Sequence, residues 1–322
     1  MKRTVSMYYE DDVFTINEAF TEFMHVKKVK GLSTETLANY NRTMDIFCRD
    51  NDITRNTPIT DITPALVFEW VEKLQDKGIK QTSINHYLRD FRAFCYWCKA
   101  PSQRYLRSTF KIEIANPQDA SLKLFNDEDI KVLLIKPSKG SRFVTWRSWA
   151  IINWVLATGN RASTICELKV SDIDFDNKEI TLRHTKSKKL QIIPLSPTLE
   201  HVIKEYIKMF RRNDAEGWLF PNVGNGKLTR NALYQAFDDF AKSRGVEQHN
   251  IHGLRHNFAK GWVMNEGNAY KLQRVLGHSS IAMTQKYVNL FSEDLKRDYE
   301  AYSPLDTMRA KAKRTQVVKM SV

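Results

Sequence analysis

Residues 251–289 read IHGLRHNFAKGWVMNEGNAYKLQRVLGHSSIAMTQKYVN, and this stretch decides how the rest of the chain is interpreted. Its apolar spacing predicts helices over about 253–265 and 269–275. Further upstream, ATGNRAS (157–163) supplies an arginine after a glycine turn, and HTKSKK (184–189) supplies a run of lysines. In chain order, the polar side chains that stand out are Arg161, Lys186, His252, Arg255, His278 and Tyr287.

These six side chains combine cations, imidazoles and a phenol, and together they suit a phosphodiester. Cations hold the non-bridging oxygens, an imidazole moves protons, and a phenol attacks phosphorus. The sequence shows neither an ATP-binding loop nor a cluster with metal-ligand spacing, so we expect no cofactor and no metal. The combination indicates phosphoryl exchange on DNA that keeps bond energy in a covalent protein–DNA link.

The charge of the chain points to the same class of partner. The 322 residues carry a formal net charge of +13, which favours a polyanion, above all nucleic acid. A charge that serves solubility alone and a preference for membrane surfaces are the alternatives. The sequence has no long apolar span, and its start, MKRTVSMYYEDDVF, lacks the apolar region of a signal peptide. We therefore expect a cytoplasmic protein without a membrane segment.

The cysteines need a separate interpretation because Cys95 and Cys98 form a C-Y-W-C string. This string superficially matches a redox or zinc half-site. It lies within an apolar helical pattern, and Cys48 and Cys166 provide no second pair with the required spacing. We interpret all four as reduced core cysteines.

The length suggests two domains. The first, over 1–107, is predicted to hold four helices between residue 13 and about residue 100. Thr15-Ile-Asn-Glu18 is a capping box, and Thr63-Pro64 is an N-cap followed by proline. The fourth helix and its exit are basic and poor in acids, which predicts contact with DNA phosphates; a solvated helix face is the alternative. The predicted DNA-binding residues are Lys80, His86, Arg89, Arg92, Lys99, Arg104 and Arg107.

A linker is predicted over 108–123, because this segment is rich in proline, Asn, Gln, Asp and Ser. A second, catalytic domain over 124–303 and a basic tail over 304–322 complete the predicted organisation. We expect the tail either to be a disordered basic end or to bind a neighbouring subunit.

The second domain mixes predicted helices with a few short strands. Alternating apolar residues predict strands over 173–175, 179–183 and 190–194, and the last two form a hairpin with Lys186 at or near its tip. Helical patterns surround them on both sides in sequence. The fold class is therefore mainly α with a small β-sheet, that is, α+β.

Each of these motifs is common by itself, but their order and local context are distinctive. Arg161 follows a helix-ending ATG, His278 follows Leu-Gly, and Tyr287 stands nine residues after that histidine. In these features the chain resembles the tyrosine recombinase, or phage-integrase, family, in its two-domain Xer-like or transposon-integrase form. The resemblance covers nearly the whole chain and implies an N-terminal four-helix core-binding (SAM-like) domain before a mixed helical catalytic domain.

The resemblance implies a role for each residue of the constellation. Arg161 and Arg255 correspond to two guanidinium clamps on the scissile phosphate, which suits a planar, permanently charged, bidentate group. Tyr287 corresponds to the nucleophile that forms a 3′-phosphotyrosine and frees a 5′ hydroxyl. No net bond energy is lost when a second 5′ hydroxyl reverses this step.

The resemblance also assigns the residues that handle protons. His252 corresponds to the proton acceptor and hydrogen-bonding partner at the phosphate, and His278 to a donor to a non-bridging oxygen. Lys186 corresponds to the hairpin lysine that protonates the departing 5′ oxygen, with Lys188 and Lys189 as close rivals.

One position departs from the family pattern. Many members carry an acidic residue three positions after the first arginine, and this chain has Thr164 there. The acid supports the site indirectly, so we expect its role to pass to a neighbour such as Asp172.

The function implied is site-specific recombination by a homotetramer on two DNA duplexes, through a Holliday junction. The tail beyond Ser303 is then expected to pass to the neighbouring subunit. A type IB topoisomerase, which reseals the same strand as a monomer, is the alternative within the enzyme class. A non-catalytic DNA-binding protein that kept the fold is the alternative outside it.

Overall fold

The computed structural model describes residues 14–100, 105–106, 110–115, 122–184, 190–211, 214–248 and 250–291, together with Ser303, Leu305 and Met308. The chain divides into two compact units, Met1–Ala120 and Ser121–Val322. The fold is mainly helical with a small antiparallel sheet, as the sequence predicts.

The N-terminal unit contains the four predicted helices. They are α1 (Ile16–Val29), α2 (Thr34–Asp50), α3 (Pro64–Asp76) and α4 (Gln81–Lys99), with a short 3₁₀ turn at Ile59–Asp61. The predicted capping box is confirmed, because the Thr15 side chain accepts from the Glu18 amide while the Glu18 carboxylate accepts from the Thr15 amide. Such caps satisfy amides that have no partner within a helix.

Aromatic side chains fill the core between these helices. Phe23, Phe47, Trp70, Phe91 and Phe94 are buried and meet mostly edge to face or tilted. Burial of a side chain of this size contributes roughly 1.5–3 kcal/mol each, and favourable ring geometry adds to it. The helical unit therefore has its own core.

The segment 110–115 packs onto this same core. Ile112 is buried in it, and Asn85 on α4 donates through Nδ2 to the Ala115 carbonyl at 2.7 Å. The sequence predicts a linker over 108–123, whereas this part of the segment belongs with the N-terminal unit. The apolar residues of FKIEIA (110–115) explain the difference, because they pack onto the core although the surrounding composition is typical of a linker.

The C-terminal unit is built from eight helices over its described residues. They are α5 (Asp127–Leu134), α6 (Phe143–Thr158), α7 (Ala162–Ile165), α8 (Pro197–Phe210), α9 (Arg230–Ser243), α10 (Ile251–Met264), α11 (Ala269–Leu276) and α12 (Ala282–Phe291). Helix α6 is apolar on nearly every side and packs against α5, α8, α9 and α10. This central position explains why its sequence has no polar face.

The sheet is a three-stranded antiparallel meander of β1 (Ile173–Asp174), β2 (Glu179–Leu182) and β3 (Gln191–Pro194). Ile180 pairs with Ile193, and both are buried. The predicted hairpin is confirmed, although each strand is one residue shorter than predicted. Lys186 and its rivals Lys188 and Lys189 lie between β2 and β3, outside the described residues.

The four cysteines are buried free thiols, as expected. Burial raises the pKa of Cys95 to about 12 and that of Cys166 to about 11, so these thiols are protonated and unreactive. Over the described part of the chain, none of the helices has both the length and the apolar character needed to cross a membrane.

Candidate active site

Four elements of the C-terminal unit bring their polar side chains together at one place. Arg161 lies at the start of α7, Arg255 on α10, His278 directly after α11, and Tyr287 on α12. Helices α10, α11 and α12 share a small apolar cluster that includes Leu272, Leu276 and the Tyr287 ring. The fold therefore brings together Arg161 and Tyr287, which lie more than a hundred positions apart in the sequence.

Arg255 is the centre of this group. Its Nη1 donates to the Gly159 carbonyl at 2.5 Å, and its Nη2 lies 3.1 Å from the Leu276 carbonyl oxygen and 2.8 Å from His278 Nε2. The side chain is buried, and burial lowers its pKa to about 10, with Arg161 adding repulsion. It remains a cation at neutral pH.

Arg161 converges on the same stretch of backbone. Its Nη1 donates to the carbonyls of Leu276 and Gly277, at 3.3 and 3.4 Å. The Leu276 carbonyl thus accepts from both arginines. Burial also lowers the pKa of Arg161, although the guanidinium stays charged.

Neither arginine forms an ion pair with a carboxylate of the described residues. Backbone carbonyls orient both guanidinium groups but leave their charges without a neutralising partner. One buried and one partly buried cation that lie close together repel each other and lose hydration, so this arrangement is costly in the absence of an anion. Preorganised cations of this kind are typical of sites that bind a phosphate or stabilise developing negative charge.

Two glycines allow the backbone to approach the arginines. Gly159 ends α6 with φ of 62°, and Gly277 ends α11 with φ of 60°. A Cβ at Gly159 would lie 2.5 Å from Phe258 Cδ1 and 2.6 Å from Leu276 Cδ2. The left-handed turn and the close packing both require glycine at this position.

Tyr287 is almost fully buried, with 7% of its surface exposed, and its hydroxyl lies within the cluster. The hydroxyl oxygen is 2.8 Å from His256 Nδ1, and it also accepts a hydrogen bond from Arg255. The phenol ring stacks parallel to the His278 ring, with centroids 6.3 Å apart. Burial raises the pKa of Tyr287, while Arg255 and then Arg161 oppose that rise.

His278 is held from both ring nitrogens. Nδ1 lies 2.8 Å from the hydroxyl of the buried Thr284, and Nε2 faces Arg255. A guanidinium can only donate, so Nε2 accepts and Nδ1 carries the hydrogen. Burial, with the two arginines, lowers the pKa of His278 to about 4, and the ring is therefore neutral.

His252 lies on α10, one turn before His256 and on the same side of the helix. Its ring meets that of His256 edge to face, with centroids 5.1 Å apart. The residue is exposed at the helix start, but desolvation by its surroundings, followed by His256, Arg255 and Arg161, lowers its pKa to about 4. Among the described residues, none forms a hydrogen bond with its imidazole.

His256 is the site residue that the sequence interpretation missed. A signal was present, because HGLRH places this histidine directly after Arg255 and four residues after His252, on one helix face. The contact with Tyr287 itself depends on how α12 packs against α10, and no sequence spacing reveals that.

The hairpin adjoins the site through Gln191 on β3. Its Nε2 donates to the Val275 carbonyl at 2.9 Å, near the C-terminus of α11. A Cβ on Gly277 would lie 2.9 Å from Gln191 Oε1. The described end of the hairpin at Gln191 is thus anchored beside Gly277.

The expected takeover by Asp172 is wrong. Asp172 is buried, but its carboxylate accepts from Arg183 Nε at 2.7 Å and from the Lys169 amide at 2.9 Å. Thr164 contributes its amide, which donates to the Arg161 carbonyl at 2.9 Å. Carbonyls of Gly159, Leu276 and Gly277 therefore do the orienting that a carboxylate does in other members of the resembled family.

The residues predicted to bind DNA belong to the N-terminal unit, whereas the candidate active-site residues belong to the C-terminal unit. Arg89, Arg92 and Lys99 recur at helical spacing along α4, with the exposed Tyr96 between them, and none is ion-paired with a described residue. Lys80 is exposed, and His86 is 3.6 Å from Asp90. Arg104 and Arg107 lie outside the described residues.

The chain matches known proteins over both units. Residues 125–294 match the phage integrase family, and residues 19–100 match the phage integrase N-terminal SAM-like domain. Tyrosine recombinase XerD of Listeria monocytogenes is 26% identical over 300 residues, which cover 90% of this chain and 99% of that protein. XerD of Oceanobacillus iheyensis is 27% identical, with coverage of 89% and 98%.

Solved structures with the same fold include the Tn1549 transposon integrase in complex with transposon right end DNA. It has a TM-score of 0.68 at 19% identity and covers 94% of this chain and 99% of its own. A lambda integrase tetramer bound to a Holliday junction has a TM-score of 0.67 at 15% identity, with coverage of 89% and 81%. Since the family match spans more than half of the chain, this chain belongs to the phage integrase family.

Proposed function

We propose that this protein is a site-specific DNA recombinase that cleaves and rejoins DNA through a 3′-phosphotyrosine intermediate. The observation that carries the proposal is the position of the Tyr287 hydroxyl beside the buried Arg255 and the partly buried Arg161, two cations without a described carboxylate partner. A phosphodiester supplies the missing negative charge and places phosphorus next to a nucleophilic oxygen.

The bond changes balance without a cofactor. Tyr287 Oη forms a bond to phosphorus and gives its proton to a neighbouring imidazole, and the bond from phosphorus to the 5′ oxygen breaks. Lys186, or its rivals Lys188 and Lys189, protonates the departing oxygen. Attack by the 5′ hydroxyl of a second DNA end reverses the step and releases the tyrosine.

The two arginines bind the non-bridging oxygens in this proposal. Arg255 then exchanges its contact with His278 Nε2 for a phosphate oxygen, because one N–H cannot donate fully to both. For His278 Nε2 to donate to a phosphate oxygen, the ring hydrogen must move from Nδ1 to Nε2, and Nδ1 then accepts from the Thr284 hydroxyl. His252, exposed at the start of α10, is the remaining imidazole that faces the substrate.

Recombination is favoured over nicking and closing by a topoisomerase. The curated relatives are tyrosine recombinases matched over nearly their whole length. A non-catalytic DNA-binding protein is disfavoured because Tyr287, Arg161 and Arg255 are all present and grouped.

DNA is the partner that both units fit. The stripe of Arg89, Arg92, Tyr96 and Lys99 on α4 combines cations with an aromatic ring at helical spacing, which suits contact with a phosphate backbone. We propose two functional units that bind DNA: an N-terminal unit that extends beyond the predicted limit at residue 107 to include 110–115, and the catalytic unit predicted over 124–303.

Assembly is proposed as a homotetramer on two duplexes. Leu305 and Met308 in the tail are 62% and 70% exposed, and apolar side chains in such a position suit docking on a neighbouring subunit. Deletion after Pro304 should then weaken recombination between two full sites while cleavage of a half-site persists. Equal recombination by the truncated and intact proteins would contradict this assignment of the tail.

The deciding experiment traps the covalent complex. A pool of nicked duplexes with a randomised centre is incubated with the protein, and complexes that survive detergent are collected and sequenced. The recovered site is then placed on two plasmids. Formation of recombinant products supports a recombinase, whereas relaxation of supercoils on any sequence without exchange supports the topoisomerase alternative.

A further inference from the structure

We propose that His256 is a catalytic residue that takes the proton from Tyr287 Oη during cleavage and returns it during resealing. This inference rests on the proposed function, since it names a proton acceptor for the same phenol. His256 is not one of the six residues identified from the order of motifs. The sequence interpretation made His252 both the proton acceptor and the hydrogen-bonding partner of the phosphate, and the proposal moves the first of these roles to His256.

The hydrogen bonds around Tyr287 favour one direction for its contact with His256. His256 Nδ1 lies 2.8 Å from the hydroxyl oxygen, which also accepts from Arg255. Because a guanidinium only donates, it occupies a lone pair of that oxygen. The proposal uses the tautomer in which the hydroxyl hydrogen is directed to His256, with Nδ1 as the acceptor and the ring hydrogen on Nε2.

The other imidazoles of the site are engaged elsewhere. His278 uses Nε2 for Arg255 and Nδ1 for Thr284, and it meets Tyr287 through parallel ring stacking. His252 meets the edge of the His256 ring rather than the phenol. Among the imidazoles of the described chain, His256 is thus the one with a ring nitrogen hydrogen-bonded to the attacking oxygen.

The surroundings keep His256 neutral and ready to accept. Burial lowers its pKa, and the charge of Arg255 lowers it further. The titratable groups that face it are Arg255 and His252 on its own helix and Tyr287 on α12. All three either repel a proton on His256 or compete with it, so the imidazole is uncharged in the resting site.

Proton transfer becomes favourable only as the new bond forms. Before reaction, the phenol has a raised pKa and the imidazole a lowered one, so the proton stays on oxygen. As the oxygen bonds to phosphorus it becomes strongly acidic, and the proton then moves to His256 Nδ1. The resulting imidazolium is destabilised by Arg255, which makes it a good acid for the reverse step.

Two substitutions separate proton transfer from positioning. His256→Asn places an amide oxygen close to the former Nδ1 position, where it can accept a hydrogen bond but not a proton. His256→Ala leaves a space for free imidazole. General acid–base groups typically contribute about 10²–10⁴ in rate, so both variants should cleave a nicked substrate roughly 10²-fold to 10⁴-fold more slowly.

Rescue by imidazole in the buffer distinguishes proton transfer from a purely structural role, because imidazole can accept a proton but cannot restore packing. It should accelerate His256→Ala in proportion to its unprotonated form, while His256→Asn, whose side chain fills the space, should not respond. Arg161→Ala is the matched control, because imidazole cannot replace a guanidinium clamp. Equal thermal melting and DNA affinity of wild type and His256→Asn show that the fold is kept.

The outcomes divide cleanly. If His256→Asn cleaves within about threefold of the wild-type rate, the inference is overturned, because a proton-transfer group typically contributes far more than that. A slow His256→Ala that imidazole leaves unchanged would overturn it too. Failure of wild type itself to form a covalent complex would instead count against the proposed function, so the two failures are distinguishable.

Discussion

Arg255 Nη2 lies 2.8 Å from Nε2 of His278, and this contact sets the state of both side chains before DNA arrives. The guanidinium needs acceptors because no described carboxylate neutralises it, and the imidazole supplies one only while Nε2 is unprotonated. A proton on His278 would therefore place two cations in contact. This relationship makes the empty site sensitive to acid and prepared for an anion.

Acid should destabilise the DNA-free protein. The pKa values of His252 and His278 are lowered from 6.5 to about 4. The unfolded chain therefore binds protons that the folded chain refuses, and this stabilisation, present above pH 6.5, is lost as the pH falls towards 4. The midpoint of thermal unfolding should drop between pH 7 and pH 5.

His278→Gln tests the contribution of one of these histidines, because an amide keeps polar contacts but does not titrate. The variant should show a smaller drop in melting temperature over the same pH interval. A pH dependence identical to that of wild type would show that folding does not lower the pKa of His278.

Tyr287→Phe should bind DNA with near-normal affinity and form no covalent adduct. The substitution keeps the ring stacked on His278 and removes only the attacking oxygen and its hydrogen bonds. A denaturing gel with a nicked substrate measures the adduct. An adduct in the Phe variant would move the nucleophile to another tyrosine, with Tyr270, Tyr299 and Tyr302 as the nearest in sequence.

Arg161→Ala and Arg255→Ala should each reduce cleavage much more than binding. Loss of one preorganised charge-stabilising donor typically costs about 10²–10³ in rate, whereas many other phosphate contacts support affinity. Single-turnover cleavage and a gel-shift titration on the same substrate separate the two effects. Near wild-type cleavage by either variant would show that its guanidinium is not on the scissile phosphate.

Gly159→Ala should damage stability and cleavage together. The alanine must adopt φ near 62°, and its Cβ would lie 2.5 Å from Phe258 and 2.6 Å from Leu276. Overpacking of this kind costs about 1–3 kcal/mol beyond the backbone strain. Cleavage should fall because the shifted Gly159 carbonyl no longer holds Arg255.

Gly245→Ala is the matched control for that substitution. Gly245 has φ of 71°, but nothing lies within 4 Å of a Cβ built there. It therefore carries the backbone strain without the clash, and urea unfolding should show a smaller loss of stability. Equal losses at the two glycines would mean that the packing around Gly159 relaxes freely.

The sequence predicted the architecture because its signals are local. Caps at Thr15 and Thr63 and the apolar spacing of α1–α4 depend on neighbours within a few residues. The alternation of Ile180 and Leu182 predicted the hairpin in the same way. Local signals of both kinds, for helices and for strands, can be recognised without knowledge of tertiary contacts.

The details of the site depended on contacts that the sequence does not encode locally. The orienting groups for the arginines are backbone carbonyls, which are the same in every residue and leave no compositional trace. The expectation for Asp172 failed for a related reason, since its carboxylate accepts a hydrogen bond from Arg183 in the folded chain. His256 was passed over because its partner, Tyr287, is thirty-one residues away on another helix.

Lys186 should act on the leaving group, and a modified substrate isolates that step. Sulfur in place of the bridging 5′ oxygen gives a leaving group that needs no acid, because a thiolate is a far weaker base than an alkoxide. Lys186→Ala should therefore cleave normal DNA slowly and the sulfur-containing DNA at nearly the wild-type rate. Arg161→Ala should stay slow on both substrates, since the non-bridging oxygens that it binds are unchanged.

The neighbouring lysines serve as matched controls for that experiment. Lys188 and Lys189 belong to the same segment between β2 and β3, so their alanine variants remove equal charge from the same connection. Both should cleave normal DNA well and gain little from sulfur. Rescue confined to one of them would move the general acid along the segment. Absence of rescue in all three lysine variants, with Lys186→Ala slow on both substrates, would show that the proton for the 5′ oxygen comes from outside this segment.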